Sequence, residues 1–360
     1  MNDSDLLNCR LCNTGLSQSP FTNAGDAVTH SGAVQAQDFA AATWALGLRV
    51  KNSNYADIEK AFNNGTILRT HVMRPTWHFI MPEDIRWMLE LTAPRVKSFL
   101  ASSNRKLGLD DALFEKSNAA IVRALESHTY LTRLELKMVL ANIGISTDVQ
   151  HLAHIIMRAE LDGLICSGPR RGKQFTYALL EERVGGSTPL SREKALDRLA
   201  RRYFTSHGPA QLRDFSWWSG ITEKEAGYAL DGIKSGLDQA TLDGRTYFYT
   251  PHTEMTARDS PSAFLLSIYD EYTIAYKDRR DISEARDIER MISRGNALTA
   301  VIVINGKVAG TWKRALKKKT IEIHLNPFRR LDNDELEAVE SEVTRYGKFF
   351  GMPAVLARQA

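Results

Sequence analysis

The sequence predicts a mostly helical α+β fold, built of repeated units in which three helices are closed by a β-hairpin, with a smaller β-rich region behind them. Three observations predict it. Helical apolar spacing followed by a hairpin pattern occurs twice in succession, over 106–187 and 188–252. Asp243-Gly244 and Asn305-Gly306 are two-residue hairpin turns between alternating apolar runs. The 360 residues are 43% hydrophobic and 25% charged, an ordinary balance that can fill two or three domain cores.

The first segment, 1–105, begins with a Ser/Asn/Gly-rich lead. It continues with a helical pattern over 39–50, a second helix around 58–62, a strand over 67–80 and a helix over 82–100. The second segment, 106–187, carries helices over 112–127, 132–140 and 148–162. In the last of these Leu152, Ile155, Ile156 and Ala159 make one apolar face, with His151, His154 and Arg158 opposite. Gly163 stops it, and 164–167 and 174–180 read as a hairpin whose tip holds Arg170, Arg171 and Lys173.

The third segment, 188–252, repeats that order. A helix over 192–204 has Ala195, Leu196, Leu199 and Tyr203 on one side, and a short helix over 210–219 places Trp217 and Trp218 as core residues. Thr222 and Glu225 form a capping box, each side chain serving a free N–H of the new helix, before the stripe Ala226, Ala229, Leu230, Ile233 and Leu237. A hairpin over 241–250 closes the unit. The repeat period of about 75 residues exceeds that of solenoids. The fourth segment, 253–360, changes character: a hairpin through Asn305-Gly306, then Lys317, Lys318 and Lys319, a strand over 320–325 and a helix over 332–350. Three helices and a hairpin is the winged-helix order, so the expectation is tandem winged-helix units followed by a small β-rich C-terminal domain.

Charge excludes little. The formal net charge is +4, and what matters is where the cations gather. His154 and Arg158 on a groove-facing helix, the tip residues Arg170, Arg171 and Lys173, and Lys317, Lys318 and Lys319 near Lys313 and Arg314 are the candidate phosphate contacts, with double-stranded DNA as the partner. Three cysteines are too few for a disulfide framework and fit a reducing cytoplasm, with the nucleoid as the place of work. Cys9 and Cys12 are spaced as half a zinc site, but no second pair completes it, and reduced thiols are the reading. No metal and no cofactor is expected. No run is long enough to span a membrane, the start is acidic rather than signal-like, and a monomer is expected.

Two constellations carry chemistry. Gln35 and Gln37 stand just before Asp38, a good N-cap for the helix that follows. In extended backbone, residues two apart project to the same side, so the pair can hold a water or a base edge through amide donors and carbonyl acceptors. Helix-end hydrogen bonding is the plainer alternative. On the strand over 67–80, Arg74, Thr76 and His78 share a face, opposite Met73, Pro75, Trp77 and Phe79. Asp270 and Glu271, read as adjacent strand residues, diverge and are structural or interfacial. Ser/His/Asp, P-loop, Gly-rich dinucleotide and zinc-protease signatures do not occur.

Gly32 to Asp38, then Arg69, Thr70, Met73, Arg74, Pro75, Thr76, Trp77 and His78, and later Tyr269 to Tyr272 with Tyr276 to Arg279, resemble in order the bacterial AlkZ/YcaQ family of winged-helix DNA glycosylases. The resemblance covers nearly the whole chain. It implies a Gln-x-Gln catalytic element at Gln35 and Gln37, as in the crosslink-unhooking branch, rather than the Gln-x-Asp of the other; Asp38 follows the motif and is not that acid. It implies a monofunctional N-glycosylase that excises N7-alkylated, cationic purines from alkylated or crosslinked DNA. Such a base leaves neutral, so little acid catalysis is required, and the site has to position water against C1′. Arg74, Thr76 and His78 are expected as support. A non-catalytic winged-helix DNA binder or regulator is the alternative.

Overall fold

The computed structural model describes residues 1–186, 189–251, 261–294 and 297–357. The segment boundaries expected at 187/188 and 252/253 lie outside the described residues. The Ser/Asn/Gly-rich lead is a correction: it folds into two helices, α1 (Asp3–Asn13) and α2 (Ala24–Ser31). Asn2 and Asp5 form a capping box for α1, a local signal that polar composition concealed. Arg10 of α1 is wholly buried, pairing with Asp281 at 3.0 Å and lying over the Tyr276 ring.

β1 (Val34–Gln35), α3 (Phe39–Arg49), α4 (Tyr55–Asn63), β2 (Leu68–His71), β3 (Trp77–Ile80) and α5 (Pro82–Lys106) follow. The single strand expected over 67–80 is two antiparallel strands, in a sheet ordered β1-β3-β2. Met73 takes φ +63° between them and turns the chain, so Arg74 and Thr76 sit on a turn rather than a strand face.

The next unit runs α6 (Asp111–Leu125), β4 (Leu131–Thr132), α7 (Arg133–Asn142), α8 (Val149–Leu161), β5 (Ile165–Ser167), β6 (Thr176–Leu179) and the short α9 (Leu180–Arg183). It closes a core of its own from Phe114, Ile121, Leu136, Leu152, Ile155 and Ile156. Then come α10 (Arg192–Ser206), α11 (Leu212–Ser219), α12 (Glu223–Ile233), β7 (Asp238–Leu242) and β8 (Arg245–Tyr249). Asp243 and Gly244 both take positive φ, as the predicted turn demands, and Thr222 and Glu225 make the predicted capping box. Trp218 is fully buried, whereas its neighbour Trp217 is 40% exposed, which corrects the reading of both as core.

The last region holds β9 (Ala263–Leu266), α13 (Glu271–Ile274), α14 (Ala285–Ile288), β10 (Ile292–Arg294), β11 (Ala297–Leu298), β12 (Val301–Ile304), β13 (Lys307–Leu316), β14 (Ile321–Pro327), α15 (Asn333–Phe350) and β15 (Ala354–Leu356). Its main sheet is ordered β15-β14-β13-β12-β9, with only β15 parallel to its neighbour. This region does not stand apart from the first. Both contribute to one core: Trp44 of α3 packs edge-on against Tyr346 and Phe349 of α15, and its indole N–H donates to the Leu265 carbonyl at 2.7 Å. Gly47 is what lets α3 and α15 approach, since a Cβ there would lie 2.3 Å from the Phe349 ring. A second core joins β2 and α5 to α10, α11 and α12.

Candidate functional site

Gln35 closes β1, paired opposite His78 of β3. The Ala36 N–H donates to the Trp77 carbonyl at 2.6 Å, and Asp38 then caps α3 by accepting from the Ala41 N–H at 2.9 Å. Gln35 thus ends a strand and Gln37 stands at a bend just before the helix start, where a continuous extended run was expected. Both carboxamides reach the same turn. Gln35 Oε1 accepts from Arg74 Nη2 at 2.9 Å, and Gln37 Oε1 accepts from the Trp77 N–H at 3.2 Å. Those partners can only donate, so each glutamine must present its oxygen to them, and each keeps a second lone pair and its NH2 group for other use. Gln35 is buried at 8% exposure, while Gln37 is exposed.

The turn does what a straight strand could not. It folds Arg74 back so that Nη2 also stands 3.4 Å from His78 Nε2. That nitrogen must accept, and His78 Nδ1–H donates to the Thr76 carbonyl at 2.9 Å. Burial, with Arg74 beside it, pulls the His78 pKa down to about 3, so the imidazole is neutral at working pH. The Thr76 hydroxyl is buried with no hydrogen-bond partner among the described residues.

Glu271 is the site residue that sequence reasoning misses. It opens α13, capped by Asp270, and is no strand residue. Its Oε1 accepts from the Gln35 backbone N–H at 2.8 Å, and its Oε2 accepts from the Trp218 indole at 2.9 Å with His207 Nε2 at 3.4 Å. Burial opposes its ionisation, but the donors from His207 and Gln35 and the charge of Arg74 prevail and hold its pKa at about 2. Asp270 is structural as expected: it takes both Arg49 nitrogens at 2.9 Å in a buried pair. The signal for Glu271 lies in the 269–272 stretch of the resemblance, and a strand reading of that stretch hides it.

The second unit meets this site through Trp77 and Arg69. Arg69 Nε donates to the Ala36 carbonyl at 2.9 Å, and its guanidinium lies over Trp77 at 4.3 Å. Burial lowers its pKa to about 10. Glu160 of α8 contacts His71 Nδ1 and accepts from the Trp77 indole at 3.3 Å. Beyond Trp77 opens a groove of about 570 Å³ lined by Arg69, Arg133, Lys137 and Lys173, with no acid among its lining residues. Its α7 wall exposes Leu134 (62%) and Met138 (59%).

Several expected cations are committed elsewhere. Arg170 is an internal strut: it pairs with Glu59, donates to the Tyr55 hydroxyl at 2.8 Å and lies over Phe39 and Phe175. Arg171 pairs with Glu135 at 2.7 Å. The expected groove-facing side of α8 packs inward instead. His154 contacts Asn104 Oδ1 at 2.6 Å, and Arg158 pairs with Asp162 at 3.0 Å and covers Phe114. The reason is that α7, not α8, is the outer helix of this unit. Lys173 is exposed in the groove. Lys317 pairs with Glu322 at 3.2 Å on the β13–β14 turn, where Lys318 and Lys319 are exposed. Among the described residues no group of three or more His, Cys, Asp or Glu could hold a metal, and Cys9 and Cys12 both lie in α1. No described helix is long and apolar enough to cross a membrane.

The model of the AlkZ-like DNA glycosylases matches residues 28–349. The chain belongs to the AlkZ-like DNA glycosylase family. The match spans Gln35, Gln37, the 74–78 turn and Glu271, the groups that the fold brings together from opposite ends of the chain. An interstrand DNA cross-link repair glycosylase of Streptomyces sahachiroi is similar at 22% identity over 351 residues, 93% of either chain. The solved structure of the Streptomyces sahachiroi DNA glycosylase AlkZ superposes with a TM-score of 0.80 at 19% identity, covering 99% of this chain and all of that one, a likeness of fold. The helical units and the β-rich C-terminal region are thus the architecture of an AlkZ-like glycosylase.

Proposed function

We propose that this chain is a monofunctional DNA glycosylase for N7-alkylated, cationic purines, bulky or crosslinked adducts included, and that Gln35 and Gln37 position the attacking water at C1′. The observation that carries the reading is the pair of carboxamides held by Arg74 and the Trp77 N–H with amide donors and lone pairs to spare. A water so held is oriented rather than deprotonated beforehand, since a glutamine is no base and burial beside Arg74 leaves the His78 imidazole a very weak one; the C1′–N9 electron pair leaves with the base, which becomes neutral, and the proton of the added water passes to solvent. That suits a substrate whose leaving group is already positive. Glu271 places a buried negative charge behind Gln35, where it opposes Arg74 and favours an oxocarbenium ion. Both of its oxygens are engaged, so it acts through its field and through the backbone of Gln35, as a positioning residue.

The helix triplets with their hairpins read as winged-helix units in segments 1–105, 106–187 and 188–252, with 253–360 as the closing domain. The groove of Arg69, Arg133, Lys137 and Lys173 is the proposed duplex contact, Lys318 and Lys319 a second one, and Arg74 and His78 hold the glutamines in place. The test is incubation with duplex DNA carrying N7-methylguanine, then hot alkali to cut at abasic sites. Strand cleavage well above background is expected; background cleavage alone sinks the enzyme reading for that lesion and leaves a DNA-binding protein.

A further inference from the structure

Arg74 also lines a cleft of about 490 Å³ between α5 and the α11–α12 corner. Its walls carry Pro75, Phe99 and Trp217, with Phe99 73% and Trp217 40% exposed in the same cleft. Trp217 is fixed there by its indole N–H, which donates to the Ile274 carbonyl at 3.1 Å. Arg95, Arg213 and Lys277 line the same cleft, are exposed, and form no ion pair among the described residues; Glu223 is the one acid among the lining residues. The contrast with Arg158, Arg170 and Arg171, all ion-paired, is direct. Gly220 fixes the corner against the turn that carries Arg74, because a Cβ there would lie 2.1 Å from the Met73 carbonyl oxygen.

From this geometry we infer that the cleft between α5 and α11 binds an unstacked nucleotide of a DNA strand, its base against Phe99 and Trp217 and its flanking phosphates on Arg95, Arg213 and Lys277. Rings with unpaired cations around them are how single strands are held without regard to sequence. The volume suits one base with its sugar. Sharing Arg74 with Gln35 puts the cleft next to the proposed reaction centre, so a nucleotide drawn out near the lesion has a place to rest. This rests on the reading of the chain as acting on DNA, and its test reads binding rather than excision.

The probe is a hexathymidylate, compared with a hexamer of the same phosphodiester backbone lacking bases. The wild-type protein should bind the hexathymidylate about tenfold more tightly. That preference should vanish in Phe99→Ala, whose exposed ring leaves the core intact, and in Trp217→Ala with an unchanged thermal midpoint. Replacing Arg95, Arg213 and Lys277 together with alanine should weaken both probes and flatten the salt dependence by about two units of slope. Equal affinity of the wild type for the two probes, or full affinity in the ring and cation variants, overturns the proposal; so does an acidic peptide displacing the hexathymidylate at equal charge. Excision of N7-methylguanine is measured separately, so that a protein inactive on that lesion can still bind in the cleft, and an active one can fail to.

Discussion

The cluster around Gln35 and the groove beside Trp77 are neighbours built on opposite rules. Around Gln35 the supporting groups are tied: Arg74 to two acceptors, Glu271 to three donors, His78 through both nitrogens. In the groove Arg133, Lys137 and Lys173 meet no carboxylate among the described residues and stand beside exposed Leu134 and Met138. A centre of the kind proposed, which holds one water to within a fraction of an ångström, needs locked neighbours. A surface that grips a phosphate backbone of any sequence needs cations free to adjust. The same residue type, arginine, stands on both sides, and only its partners tell the two settings apart.

The comparison predicts large effects on rate from the locked side and on affinity from the free side. Gln35→Ala and Gln37→Ala should each lower single-turnover excision of N7-methylguanine by about 100-fold or more, with duplex affinity nearly unchanged by fluorescence anisotropy. If affinity fell in step with rate, the glutamines would belong to the grip. Glu271→Gln should lower the same rate by about tenfold at unchanged substrate affinity, whereas a purely structural role would show as a lower thermal midpoint with a normal rate per folded molecule.

The joint change of Arg133, Lys137 and Lys173 to alanine should reduce the slope of log affinity against log salt by about 2 to 3 units and spare the rate at saturating protein. Arg170→Ala is the counterpart. It should cost about 2 kcal/mol of stability, as the loss of a charged hydrogen-bonded partner does, and leave the salt slope alone. An altered slope would mean that the hairpin tip touches DNA after all.

The smallest expected effect is of pH. With His78 near 3 and Glu271 near 2, neither titrates in the working range, so excision should stay flat between about pH 5 and 8. Stability should not stay flat. His78 is depressed from 6.5, so below that value the unfolded chain takes up a proton that the folded one refuses, and stability falls as pH drops from 6.5 toward 3. Glu271 is depressed from 4.5; its contribution is full above that value and is lost toward pH 2. A bell-shaped rate profile centred near neutrality would point to a titrating base that the proposed mechanism lacks.

What can be read from the sequence is local. The N-cap at Asp38 specifies a helix start just after Gln35 and Gln37, and Asp243-Gly244 specifies a turn. Partners distant along the chain are not legible. Nothing near Arg170 indicates Glu59 and Tyr55, more than a hundred residues away, and nothing near Glu271 indicates Gln35. Periodicity places α8 correctly but cannot say that α7 lies outside it, so the open face falls on the wrong helix. Polar letters hide α1, whose buried Arg10 donates to Asp281 and to a carbonyl from the third unit.

The bond from Gln35 to Glu271 spans 236 residues. A growing chain that has left the ribosome only as far as its third unit holds both glutamines and neither of the acids that brace the first unit, Asp270 and Glu271. The second unit, with a private core, can settle early; the reaction centre has to wait for the last hundred residues. A chain cut short before residue 270 should therefore lack the carboxylates that hold Arg49 and the Gln35 N–H, and with them the braced form of the first unit.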